Sequence, residues 1–162
     1  EGKAITNFDR LLPAPMSDLA QQTLKDPYNF DFLTIRQNYD EKELQKALTT
    51  NITKFLLELG SGFAYVGEQY RLQVGEQEFF ADLLFYHLKL RCYVVIELKV
   101  TPLKKEHIGQ IQTYMNYINK NIKSINQDNT IGIIICKKDN MFLMEYCSDK
   151  RIYKSTYELV NI

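Results

Sequence analysis

The sequence predicts an α/β domain in the order helix, three-strand meander, helix, strands, with a mixed central sheet flanked by helices. Three observations lead there. Leu44, Leu48, Ile52, Phe55, Leu56 and Leu59 recur at three- and four-residue steps over about 41–60, the repeat of an amphipathic helix. Two stretches, about 78–87 and 91–100, are apolar on both faces, as central strands covered on each side are. A second amphipathic stretch over about 104–121 precedes an apolar run at 130–136 that contains three consecutive Ile. With 162 residues, 45% of them hydrophobic, the chain suits one compact domain with some terminal extension.

Residues 1–30 read as an N-terminal arm or inter-domain linker, and 31–162 as the domain. Pro13, Pro15 and Pro27 punctuate the arm, and Ser17-Asp18 suits the cap of a short helix running to about Lys25. Gly60 and Gly62 end the helix at 41–60, because glycine tolerates the left-handed cap conformation. In the strand expected over 63–74, Tyr70, Leu72 and Val74 alternate with Gln69, Arg71 and Gln73. A hairpin turn at 74–78 leads into the strand at 78–87. The strand at 91–100 ends before Pro102. In the helix at 104–121, Ile108, Ile111, Met115, Ile118 and Ile122 form one stripe. Gln110, Tyr114, Tyr117 and Asn121 form a neighbouring polar-aromatic stripe. Further strands are expected at 130–136, about 141–147 and 151–157.

The formal net charge is zero, so the whole-chain field does not favour nucleic acid. The distribution is uneven. Residues 1–88 carry 8 Lys/Arg against 13 Asp/Glu, and residues 89–162 carry 12 against 7. Cys92, Cys136 and Cys147 are dispersed in apolar stretches without a C-x-x-C pair, as expected of reduced, buried thiols in a cytoplasmic protein. With only His87 and His107 to join them, zinc coordination is disfavoured. No apolar run is long enough to span a membrane, and no signal-peptide pattern is visible. The first residue is Glu1 rather than Met, as in a fragment or a processed chain.

Charges interrupt the two apolar strands. Asp82 lies inside Phe79-Phe80-Ala81-Asp82-Leu83-Leu84-Phe85, and Glu97 and Lys99 lie inside Tyr93-Val94-Val95-Ile96-Glu97-Leu98-Lys99-Val100. Side chains alternate along a strand, so Glu97 and Lys99 share a face and Leu98 takes the other. A carboxylate in an apolar layer is costly unless it is paired or binds a metal. Asp82 with Glu97-x-Lys99 is the minimal equipment for metal-assisted phosphodiester cleavage. Magnesium needs one or two carboxylates and keeps several waters. Asp82 and Glu97 would supply them, with the Leu98 carbonyl as a third donor where the strands splay. Lys99 would orient or deprotonate the attacking water, helped by the pKa-lowering effects of desolvation and a nearby cation. Glu58, near the end of the first helix, is a candidate second-metal or supporting carboxylate. Gln110 and Tyr114, one turn apart, would hold a phosphate or position Lys99. The same residues also suit a bland reading. Glu97 and Lys99 form a partly buried ion pair, Asp82 accepts loop hydrogen bonds, and Gln110 and Tyr114 lie on the solvent edge of their helix. His87 and His107 read as surface residues. Lys104-Lys105 and Lys137-Lys138 read as solvated faces or as contacts to a DNA backbone.

The element order, with Asp82, Glu97-Leu98-Lys99 and Gln110-x-x-x-Tyr114, resembles the PD-(D/E)XK nuclease superfamily. The similarity is closer to the C-terminal nuclease domain of the bacterial YhcG-like family. It is carried by Phe55-Leu56-Leu57-Glu58-Leu59-Gly60, Phe79 to His87, Ile96-Glu97-Leu98-Lys99, Gly109-Gln110 and Ile131-Gly132-Ile133-Ile134-Ile135-Cys136. Ile5-Thr6-Asn7-Phe8-Asp9 and Asp26-Pro27-Tyr28 resemble that family's inter-domain segment. The resemblance implies a restriction-endonuclease-like core and Mg²⁺- or Mn²⁺-dependent cleavage of DNA, including branched or damaged DNA. Asp82, Glu97 and Glu58 would bind metal, and Lys99 would handle the water. Gln110 and Tyr114 would match the helix motif of resolvase- and RecB-like nucleases. It further implies an N-terminal helical domain that this chain lacks, and it allows a homodimer. Ala81 stands where the superfamily name has Pro. Two rival expectations are a nuclease-fold module that binds DNA or a protein without cutting, and an assembly domain with a structural ion pair.

Overall fold

The computed structural model describes Ala20, residues 24–138 and residues 147–159. The segment at 5–9, the helix expected to end near Lys25 and the strand expected at about 141–147 lie almost wholly outside these residues. Among the described residues, six strands form one mixed sheet: β1 (Tyr28–Asn29), β2 (Phe63–Val74), β3 (Gln77–His87), β4 (Cys92–Pro102), β5 (Ile131–Lys138) and β6 (Ile152–Glu158). Their spatial order is β1-β6-β5-β4-β3-β2. β2, β3 and β4 are an antiparallel meander, whereas β4, β5, β6 and β1 run parallel. A parallel pair needs a crossover, and α3 (Lys105–Asn121) supplies it between β4 and β5.

Strict alternation in β4 builds the two core layers. Val94, Ile96 and Leu98 face α1 (Glu41–Thr50) and α2 (Ile52–Leu59), where they join Leu44, Leu48, Phe55 and Leu59. Val95 faces α3 and packs with Ile111, Tyr114, Met115 and Ile118. A sheet covered on both sides explains why β3 and β4 are apolar on both faces. Rings knit the first layer together, with Phe55 edge-on to both Phe30 and Phe85 at 5.7 Å.

The single helix expected over 41–60 is two helices. Asn51, with φ −106° and ψ 43°, breaks it. Its side chain donates to the Ala47 carbonyl at 2.9 Å, the local competition that makes Asn a poor helix-interior residue. The end of the expected arm packs into the domain. Tyr28 and Phe30 are fully buried, and β1 adds beside β6.

His87, expected at the surface, is fully buried at the end of β3. Its Nδ1 accepts the Leu90 N–H at 3.1 Å, so the ring ties down the turn into β4. Gly62 lies against this ring with φ +99°, and a Cβ there would come within 2.6 Å of His87 Cε1. Both space and backbone require glycine. Gly62→Ala is expected to destabilise the domain by about 2–3 kcal/mol, read as a lower urea midpoint at constant m-value. An unchanged midpoint would mean that the His87 ring can move aside.

Candidate active site

The backbone ladder between β3 and β4 stops at Leu83↔Ile96. The next two positions in register are Asp82 and Glu97, and here side chains replace the ladder. Glu97 Oε2 accepts the Asp82 backbone N–H at 2.7 Å. Asp82 Oδ2 accepts the Leu98 backbone N–H at 2.9 Å. The irregularity also breaks alternation along β3, because Ala81 packs on the α3 layer and Leu83 on the α1–α2 layer. On the other side of β3, Gln69 of β2 adopts a left-handed φ of +46°. Its amide lies 3.4 Å from Asp82 Oδ1.

Like charges set directly across a strand pair repel, and here one of them is dry and the other, Asp82, partly buried. Glu97 is 3% exposed. Burial, then the Asp82 charge, pushes its carboxyl up to about 8. Burial also raises Asp82, although the Leu98 N–H and the Lys99 charge pull the other way. The Lys99 side chain is 13% exposed. Its Nζ is 3.4 Å from Gln110 Oε1 and 4.0 Å from Glu41 Oε1. Tyr114 is 3% exposed. Burial and the charges of Glu97 and Asp82 push its hydroxyl up to about 12, so it remains a neutral donor. The structure therefore gathers Asp82, Glu97, Lys99, Gln110 and Tyr114. Tyr114 is in the core rather than on a solvent edge. The Leu98 side chain lies in the opposite layer, as alternation requires.

Glu58 does not join this group, and this corrects the expectation. Its Oε2 accepts the Asn29 N–H at 2.7 Å and its Oε1 pairs with Lys25 at 3.4 Å. It ties α2 to β1. Glu41 takes the expected place, from the first turn of α1. Its Oε2 accepts the Val100 N–H at 3.1 Å, and its charge acts on both Asp82 and Glu97. The Asp40–Glu43 capping box that starts α1 was a readable signal for the helix start. It carried no information about which end of the helix meets the sheet. His107 is half-buried beside this group, with Nδ1 accepting the Lys104 N–H at 3.0 Å.

Among the described residues, no three His, Cys, Asp or Glu side chains converge as a metal-holding group. The donor set at the splayed end is two carboxylates with nearby backbone. All the donors are hard oxygens, which suits a magnesium-like ion that completes its shell with water and phosphate. Asp82 lies with Lys99 and the Glu41 charge around Glu97, whose carboxyl is held up to about 8. A cation bound there would favour the charged forms of both carboxyls.

A family model described as the YhcG PDDEXK nuclease domain matches residues 21–161. The chain is 36% identical over 124 residues to the Escherichia coli (strain K12) protein named "Putative nuclease YhcG", an alignment covering 76% of this chain and 33% of that protein. The chain thus spans about a third of that relative's length. Among solved structures, an EndoMS–dsDNA complex is similar with a TM-score of 0.57 at 14% identity, over 82% of this chain and 50% of that chain. A repair endonuclease from Pyrococcus abyssi gives a TM-score of 0.51 at 15% identity, over 76% and 50%. At these identities the structural likeness is one of fold, and it is the fold of restriction-endonuclease-like enzymes. The family match runs through both helical layers and the splayed strand pair alike, and on that ground the chain belongs to the YhcG family of PDDEXK nuclease domains.

Proposed function

We propose that this domain is a divalent-metal-dependent DNA endonuclease. The observation that carries the reading is the pair of buried Glu97 and partly buried Asp82, both with raised carboxyl pKa, where the β3–β4 ladder stops, with Lys99 beside it. Such an arrangement is costly for folding alone and useful for binding a cation. Asp82 and Glu97 would hold Mg²⁺ or Mn²⁺, with the Leu98 carbonyl as a further donor. A divalent ion there would neutralise charge on the phosphate and make a coordinated water more acidic. Lys99, fixed by Gln110 and Glu41, orients the attacking water. The neutral Tyr114 hydroxyl donates a hydrogen bond toward a phosphate oxygen, and Gln110 restrains the ammonium. Glu41 couples α1 to the end of β4 through the Val100 N–H. The alignment covers only 33% of the Escherichia coli relative, which supports a further domain in the whole protein that chooses among linear, branched and damaged DNA. Two copies acting together would suit double-strand cutting. No described helix is long and apolar enough to cross a membrane.

The test is cleavage of linear and branched DNA in Mg²⁺ or Mn²⁺. Asp82→Ala and Lys99→Ala are each expected to lose about 100-fold or more of the rate, with an unchanged circular-dichroism spectrum. Cutting at wild-type rate by either variant would overturn that residue's role. DNA binding without cutting by the wild type would favour the non-cutting module.

Metal binding has its own readout. Mg²⁺ at 100 times its dissociation constant should stabilise the wild type by about 2.7 kcal/mol and leave the melting temperature of Asp82→Ala unmoved. An equal rise in both proteins would place the ion elsewhere.

Without divalent ions, pH should reveal the strained pair. The folded protein holds the Glu97 proton up to about 8, whereas an ordinary glutamate releases it near 4.5. Between those values the folded state binds more protons, so stability falls as pH rises through that window. The advantage of Glu97→Gln over the wild type should therefore grow across it and level off above pH 8. A pH-independent difference would mean that Glu97 ionises normally.

A further inference from the structure

Parallel strands β4, β5 and β6 end together, and at their carboxyl ends a cavity opens on the α1–α2 face of the sheet, opposite the face that carries Glu97 and Lys99. It measures about 260 Å³ and is lined by Leu33, Ile35, Tyr39, Lys137, Tyr157 and Leu159, together with Arg36 and Gln37. Its link to the first site runs over the rim of the sheet, where Glu41 Oε1 comes within 4.0 Å of Lys99 Nζ. Tyr39 lies two residues before Glu41, and Lys137 follows Cys136, which stands beside Lys99 in the β4–β5 register. Ligands of open sheets collect at the carboxyl ends of parallel strands.

The lining is mixed in a specific way. Three aliphatic side chains and two tyrosine rings provide apolar surface. The Tyr39 and Tyr157 hydroxyls are joined at 2.6 Å, which holds the Tyr39 ring in place. Lys137 Nζ lies 5.4 Å from the centroid of that ring, a cation–π contact that positions the ammonium. Arg36 is engaged elsewhere, in a two-pronged pair with Glu43 at 2.6 and 2.7 Å. Lys137 is thus the cation presented to an anionic ligand in this cavity. Aromatic and aliphatic groups beside a positioned ammonium, within a lining whose surface is largely polar, match a flat base followed by a phosphate. Bases in a duplex have their faces covered by stacking. A cavity can take a base only when it is unpaired or swung out.

We propose that this cavity receives one unpaired nucleotide of a DNA strand that runs on to the Asp82–Glu97 centre, with the base against Tyr39 and the aliphatic wall and its phosphate on Lys137. The proposal rests on the nuclease reading above for the position of the cut. It makes single strands, flaps and branch points, rather than continuous duplex, the substrates of this domain.

The experiment is binding of a duplex with a single unpaired 2-aminopurine, in Ca²⁺, followed by its fluorescence. Wild type should quench the base. Lys137→Ala should bind about tenfold more weakly, and Lys137→Arg should recover. Tyr39→Leu should lose the quench and Tyr39→Phe should keep it, since the ring rather than the hydroxyl is the contact. Lys137 is exposed, so its variants test the idea even if Tyr39→Leu fails to fold. Wild-type binding and quenching by Lys137→Ala would overturn the proposal. So would an equal loss on the fully paired duplex, which would mark Lys137 as a general backbone contact. Cleavage in Mg²⁺ by the same preparations separates the two readings. Quenching without cutting counts against the nuclease reading and supports the cavity, whereas cutting without quenching overturns the cavity alone.

Discussion

Where β3 and β4 part, two carboxylates do the work of a backbone ladder. The Asp82 N–H is satisfied by Glu97 and the Leu98 N–H by Asp82. Buried N–H groups left without acceptors cost about as much as a lost hydrogen bond. The exchange removes that cost and creates another, since the dry Glu97 carboxyl now sits opposite the partly buried Asp82. Much of the surrounding structure answers this conflict. Lys99 supplies positive charge on the same face. Gln69 leaves ordinary strand geometry and turns an amide toward Asp82. Tyr114 and the α3 layer keep water out, which strengthens every charge interaction inside.

The mixed sheet decides which elements can meet at that end. The meander brings Asp82 opposite Glu97. The crossover through α3 returns Gln110 and Tyr114 over the same face. The opposite layer contributes only at its rim, where the first turn of α1 reaches around the end of β4 and Glu41 caps the Val100 N–H. Acid groups are favoured in a first helical turn by the exposed N–H groups there, so Glu41 suits its own helix as well as its neighbour. The parallel strands finish along one edge, and there the carboxylate group and the Tyr39–Lys137 cavity lie on opposite faces of the sheet. Shape and charge thus divide between a metal-seeking end and an aromatic, cationic recess over the rim from it.

Buried structural groups mark the limits of reading chemistry from residue type. His87 looks catalytic by type, but its Nδ1 is spent on the Leu90 N–H and its ring is enclosed by the Gly62 turn. Glu58 resembles a site carboxylate by position in its helix, yet both its oxygens hold β1 and Lys25 in place. The buried pair Arg151 and Asp149, 2.8 Å apart, fixes the start of β6 through Asn116 and Gln112 of α3. Each of these charges is matched locally. Asp82 and Glu97 differ because their partners leave both carboxyls raised.

Local sequence determined the elements and the two-faced strands, because hydrophobic periods of two and 3.6 residues act over a few neighbours. β2 through β4, α3 and the β5 run at 130–136 were legible in this way. Alternation alone placed Glu97 and Lys99 on one face and Leu98 on the other. Residue chemistry grouped Asp82 with Glu97-x-Lys99 and put Gln110 and Tyr114 on one helix face, and the family resemblance added the nuclease roles expected of them. Tertiary structure decided the rest. The break at Asn51 follows from a side-chain hydrogen bond that competes with the helix at little local signal. The burial of Tyr28 and Phe30 depends on β6, which lies more than a hundred residues away. The exchange of Glu58 for Glu41 depends on which end of a helix pair meets the sheet edge. Helix propensity and periodicity are the same at both ends of such a pair, so only packing against β4 could choose between them.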